Sequence, residues 1–148
     1  MQVPSVGRLL VELQKGVTQL HRAGMQSPLA PLLRGSPAHE FLVLETTGRR
    51  SGARRATPLS FTTDGDAFVV IASNGGAARD PDWYRNLQAD RDATVELRGA
   101  RAPVRAATVT GAERDRLWRN AVRSYPGYAA YQLRARREIP VVRLLPRR

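Results

Sequence analysis

The stretch from Phe41 to Gly76 restricts this chain more than any other. It reads FLVLETTGRRSGARRATPLSFTTDGDAFVVIASNGG. Phe41–Thr47 is apolar and rich in strand formers, and Gly48-Arg49-Arg50-Ser51-Gly52 breaks it. Residues 54–63 form a second strand-like run. Asp64-Gly65-Asp66 is a hairpin signal. Ala67–Ser73 is nearly continuous apolar sequence, long enough for a strand in a sheet core, and it ends in Asn74-Gly75-Gly76. Neighbouring strands thus end in glycine-bounded turns, one carrying two arginines. Glycine lets backbone N–H groups point outward and arginine adds a charged planar fork, so this pair of turns suits a bound anion.

The remaining chain supplies helices and two more hairpin arms. Residues 3–22 read as one amphipathic helix, with Val3, Val6, Leu9, Leu10, Leu13, Val17 and Leu20 on one stripe. Two readings stand side by side: the stripe packs on the rest of the protein, or it lies on an anionic membrane. Met25–Pro37, rich in proline, reads as a linker or covering loop. Asp80 as N-cap and Pro81 at the first helical position predict a short helix to about Ala89, with Trp83 and Leu87 on one face. Ala93–Arg98 and Arg101–Thr110 predict a hairpin turning at Gly99-Ala100. A capping box at Thr110–Glu113 opens a further helix. Pro126-Gly127 separates it from a second short helix reaching about Arg136, and Ile139–Leu145 closes as a strand. Six strands with short helices between them predict a mainly β, α+β protein with a small, mostly antiparallel barrel. The expected organisation is one globular unit, with residues 1–37 as helix and linker and 38–148 as barrel.

With 148 residues, 42% of them hydrophobic, the chain can bury a proper core. It has no cysteine and only two histidines, His21 and His39, so no metal site is expected and nucleophilic triads have little to work with. The net charge of +11 comes almost wholly from arginine, Lys15 being the one lysine. The arginines are scattered, whereas a nucleic-acid binder more often carries a basic tail or stripe. No run approaches the ~18 apolar residues of a membrane span, and the N-terminus lacks a signal-peptide core. The expected location is the cytoplasm, with the inner membrane face as the site of any peripheral contact.

Five motifs in order carry a resemblance: GRRSGxxRxxPL, ASNGG, DPxWYxNL, YPxYxxYQ and IPVV. Together they resemble the deazaflavin-dependent nitroreductase and quinone reductase family over roughly Phe41 to Leu145. The resemblance implies an FMN-binding-like split β-barrel. It also implies an oxidoreductase that passes a hydride from reduced coenzyme F-420 to a quinone or a similar conjugated or nitroaromatic acceptor. The competing expectations are an FMN-dependent reductase in the same barrel, and a non-catalytic basic protein that carries coenzyme or binds nucleic acid. No nucleic-acid partner is expected on the main reading.

The resemblance also implies roles. Arg49, Arg50 and Ser51 meet charged or polar groups of the coenzyme, and Arg55, Thr57, Pro58 and Leu59 run alongside it. Ala72, Ser73, Asn74, Gly75 and Gly76 form the second coenzyme turn, and Trp83, Tyr84 and Asn86 belong to the short helix beside it. Asn74 stands where many relatives carry lysine, and Arg79 is the candidate to supply that charge. Tyr125, Tyr128 and Tyr131 are candidates to position the acceptor or donate a proton, with Ser73 grouped beside them. From the residues alone, the same tyrosine stripe reads equally as core. Ser60 stands where nitroreducing members carry tyrosine, which counts against nitro reduction and leaves quinone reduction open. A lipid-soluble quinone would suit an N-terminal helix held at a membrane.

Overall fold

A computed structural model describes residues 40–147. The helix expected over 3–22, the linker over 25–37 and both histidines lie outside the described residues. Seven strands form one sheet: β1 Phe41–Thr47, β2 Arg54–Ser60, β3 Thr62–Asp64, β4 Ala67–Ile71, β5 Asp92–Leu97, β6 Ala100–Thr108 and β7 Val141–Pro146. Among the described residues three α-helices accompany them, α1 Asp82–Ala89, α2 Gly111–Ser124 and α3 Gly127–Ala135.

The sheet order is β2-β1-β5-β6-β7-β4-β3, and every pairing is antiparallel. Its two edge strands, β2 and β3, are joined through the single residue Phe61. Edges so close in sequence force the sheet to curl until they meet, which produces the split barrel. Sequence reading gave six strands because residues 54–63 look like one run. The run breaks at Phe61, whose ring meets Phe68 edge-on at 5.3 Å and packs against the barrel core.

Alternation along the strands builds two apolar layers. Leu42, Leu44, Val70, Val95, Val104, Val142 and Leu144 fill the barrel interior with Trp83, Tyr84 and Leu87 of α1. Val69, Ile71 and Val141, on the opposite face, pack under Leu117 and Ala121 of α2 and Ala135 of α3. One sheet therefore has α1 plugging its inside and α2 with α3 covering part of its outside.

Three local expectations are corrected. The second hairpin turns at Arg98-Gly99, one residue earlier than expected, with φ of 52° and 83°. Two consecutive left-handed residues are what a two-residue type I′ loop requires. Pro81, not Asp80, is the N-cap residue of α1. Asp80 is drawn off by Arg137, whose Nη1 lies 2.6 Å from Oδ1. Thr110 is the N-cap residue of α2, but the capping-box side-chain bond is absent. Glu113 instead pairs with Arg143 of β7.

Candidate active site

The first turn is built tightly. Gly48 N–H donates to the Ala53 carbonyl at 2.7 Å, and the Ser51 hydroxyl accepts the Ala53 N–H at 3.1 Å. Gly52 sits at φ 71°, a conformation that strongly favours glycine. Asn86 of α1, only 3% exposed, fixes this turn to the barrel. Its Oδ1 accepts from Arg49 N–H at 3.2 Å and from Arg49 Nη1 at 2.9 Å, and its Nδ2 donates to Thr46 Oγ1 at 3.2 Å. Arg49 Nη2 also lies 3.1 Å from Asp82 Oδ1.

Beside this turn runs a groove of about 450 Å³ lined by Arg49, Arg50, Ser51, Arg55, Thr57, Asp82, Trp83 and Asn86. Arg49 is held. Arg50 and Arg55 are exposed. Among the described residues neither guanidinium has a hydrogen-bond or ion-pair partner, so both are available to an incoming anion. The pleat explains which candidates are missing. Thr57 lies opposite Leu44 and Leu59 opposite Leu42, on the barrel's inward side, whereas Pro58 lies opposite Val43 on the other face. Leu59 packs against the barrel core. Tyr84 turns away from the groove, and its hydroxyl bonds Thr108 Oγ1 at 2.9 Å. Trp83 is 6% exposed and belongs to the core while its edge walls the groove.

The second turn gathers the other candidates. Ala72 and Ser73 leave β4, and Asn74–Gly76 form a tight turn in which Gly76 N–H donates to the Ser73 carbonyl at 2.9 Å. Asn74, Gly75 and Gly76 all have positive φ, at 48°, 63° and 83°. Asn74 closes the loop through Nδ2 to the Arg79 carbonyl at 3.0 Å. The Arg79 guanidinium is exposed and has no partner among the described residues. A Cβ at Gly76 would stand 2.9 Å from the Tyr131 carbonyl oxygen, so glycine is what lets α3 sit directly on this turn. The structure therefore brings together two clusters the sequence held 50 residues apart, the second turn and the tyrosine helix.

The three tyrosines are one cluster with unequal roles. The rings of Tyr125 and Tyr128 meet edge-on at 4.9 Å, and the Tyr125 and Tyr131 hydroxyls are 3.0 Å apart. Tyr128 packs against the outer core and beside Trp118. Burial pushes its phenol up to about 12, with the neighbouring Tyr125 adding to the shift and the nearby Ser60 working against it. The hydrogen bond shared with Tyr131 raises the Tyr125 phenol, with burial adding to it. Tyr125 is 38% exposed. Tyr125 and Tyr131 thus offer a hydroxyl pair near the surface, and Tyr128 holds the cluster to the core.

Sequence reasoning missed Arg137, Asp82 and Thr46. Arg137 grips the second turn, Asp82 engages Arg49, and Thr46 seats Asn86. Each acts on a residue 33 or more positions away, and no local motif marks such a partner.

The curled antiparallel sheet with these two turns defines a split-barrel oxidoreductase of the deazaflavin-dependent type. The family model for the F-420H(2)-dependent quinone reductases matches residues 18–146. The chain belongs to that family, whose cofactor is reduced coenzyme F-420. An F-420H(2)-dependent quinone reductase of Mycobacterium tuberculosis is 37% identical over 139 residues, covering 87% of this chain and 89% of that one. A second protein of that species, provisionally given the same name, is 40% identical over 106 residues, 72% of this chain and 89% of the relative. Among solved structures, a reductase dependent on reduced F-420, FDR-A, is similar with a TM-score of 0.66 and 34% identity. That match covers 71% of this chain and 93% of FDR-A.

Proposed function

We propose that this enzyme passes a hydride from reduced F-420 to a quinone or a similar conjugated acceptor. The observation that carries the proposal is the groove in which Arg50 and Arg55 stand, among the described residues, unpaired beside the wall of Trp83. A flat coenzyme with a phosphate and an acidic tail matches a groove with an aromatic wall and two exposed guanidinium groups. The coenzyme supplies the hydride chemistry when bound, and the protein supplies binding, orientation and shielding. Arg50, Arg55 and Ser51 hold charged and polar oxygens, Asn86 keeps Arg49 and the turn in place, and the second turn offers backbone N–H donors. The hydroxyl pair of Tyr125 and Tyr131 borders the acceptor's side and holds a proton within reach of it.

Titration with reduced F-420 and with FMN tests the coenzyme, and the reduced deazaflavin should bind more tightly. Equal or tighter FMN binding removes the reading. Loss of deazaflavin absorbance with a panel of quinones and nitroaromatics tests the acceptor. Ser60 presents no aromatic hydroxyl of its own, so quinones should turn over faster than nitro compounds.

The same reading extends to a lipid-soluble quinone delivered at a membrane by the amphipathic stretch over residues 3–22. No helix among the described residues is long and apolar enough to cross a membrane, so the contact proposed is peripheral. Anionic liposomes should sediment the full chain, less so at high salt, and should retain a chain starting near Ser27 much less. If both stay in the supernatant, the membrane contact is wrong and the coenzyme reading stands.

A further inference from the structure

Arg137 follows α3 and lies 57 or more residues from everything it holds. Its fork collects the carbonyls of four loop residues. Nη2 donates to Ser73 at 3.1 Å and to Arg79 at 3.2 Å, and Nε donates to Ala77 at 3.0 Å. Both Nη atoms reach the Ala72 carbonyl at 3.4 Å. Asp80 balances its charge, Nη1 to Oδ1 being 2.6 Å. The side chain is only 16% exposed, and its donors are committed to the loop. It is therefore not itself a cation waiting for a ligand.

Its effect is on the opposite side of the peptides it grips. In a trans peptide the carbonyl and the following N–H point in opposite directions. Holding the carbonyls of Ala72 and Ser73 therefore turns the N–H groups of Ser73 and Asn74 away from Arg137. Ser73 is right-handed, at φ −76° and ψ −34°, and Asn74 is left-handed, at φ 48°. That order of hands makes successive N–H groups converge on one concavity, an arrangement that receives anions. Among the described residues neither N–H donates to a backbone or side-chain acceptor, although the neighbouring Ala72 and Gly76 N–H groups both do.

We propose that Arg137 is a positioning residue that aims the Ser73 and Asn74 N–H groups at an oxyanion of the bound coenzyme. The inference rests on the F-420 reading above. The oxyanion belongs either to the coenzyme's phosphate or to an oxygen of its ring, and both present the same chemistry to the two donors.

The test uses the full chain and two variants, Arg137→Lys and Asp80→Asn. Lysine keeps the charge but has three donors on one point in place of a planar fork, so it cannot span the four carbonyls. Binding of reduced F-420 and of its phosphate-free ring fragment is measured for each protein, with amide exchange at residues 72–80 and thermal unfolding alongside. Arg137→Lys should weaken coenzyme binding by roughly 10-fold or more, the loss expected for hydrogen bonds to a charged group. Exchange at Ser73 and Asn74 should rise, and catalysis of the residual bound complex is not part of the criterion. A loss confined to the whole coenzyme assigns the phosphate, and an equal loss for the ring fragment assigns a ring oxygen. A folded Arg137→Lys protein with wild-type affinity for both ligands overturns the inference alone. If that variant does not fold, unchanged affinity in Asp80→Asn overturns it. Wild-type protein that fails to bind F-420 overturns the coenzyme reading and this inference with it.

Discussion

Arg49 and Arg50 are adjacent in sequence and serve different ends. Arg49 is tied to buried Asn86 and to Asp82, so it shapes the turn. Arg50 is exposed and unpaired among the described residues, so its charge is left for a ligand. Arg50→Ala should therefore weaken reduced F-420 binding by roughly 10- to 150-fold, equivalent to about 1.5–3 kcal/mol, with thermal stability unchanged. Wild-type affinity in that variant would make Arg50 a solvated turn residue. Asn86→Ala should behave in the opposite way. It strips the Thr46 hydroxyl and the Arg49 N–H of a buried partner, so the protein should lose about 1–3 kcal/mol of stability. Denaturant unfolding reads this directly, and coenzyme affinity should fall as a consequence of the displaced turn.

At the level of elements, the glycine turns and the bounds of the first strand were legible because they rest on local chemistry. Phe41–Thr47, an apolar run of strand formers, is a strand with the expected bounds, and both turns contain glycines at positive φ. What was not legible depends on partners distant in sequence. Nothing local says that residues 54–63 divide at Phe61, because the break is made by Phe68 and the barrel core. Nor does anything local say that Asp80 abandons its cap for Arg137, or that Glu113 leaves its capping box for Arg143. The motif residues were found, but the pleat decides their direction: Thr57 and Arg55 line the groove, while Pro58 faces away. The tyrosine stripe, read equally as core or as site, divides between the two. Tyr128→Ala should cost about 3–5 kcal/mol, as for a large aromatic removed from a packed layer. Tyr131→Phe, which removes only the hydroxyl shared with Tyr125, should leave stability nearly unchanged and alter turnover or acceptor preference. Steady-state kinetics over the quinone panel separates the two outcomes, and a silent Tyr131→Phe would remove the hydroxyl pair from the mechanism.

For the molecule as a whole, the weakest point of the closed sheet is β3, three residues long and paired in the sheet only with β4. Asp64 at its end compensates. Its Oδ1 takes Arg116 Nη1 of α2 at 3.1 Å, and its Oδ2 takes Arg143 Nη2 of β7 at 3.0 Å. One carboxylate thus ties the edge strand to a covering helix and to a central strand. The Arg116 hydrogen bond leads in holding the Asp64 carboxyl below its ordinary value of 3.8, with Arg143 adding to it against the opposing effect of burial. A carboxyl held lower in the folded state than in the unfolded chain stabilises the fold wherever it is ionised in both. That contribution is complete above the ordinary carboxylate range and is lost as pH falls through the lowered folded value. The charge is partly open to solvent, so salt should weaken the tie as well. Asp64→Asn should accordingly be less stable than wild type at neutral pH, and the two should converge as the pH is taken below about 4. Denaturant unfolding of both proteins between pH 7 and pH 3 measures the gap. A gap that stays constant across that range would mean Asp64 contributes through shape and neutral hydrogen bonding. The closing of the barrel edge would then owe nothing to its charge.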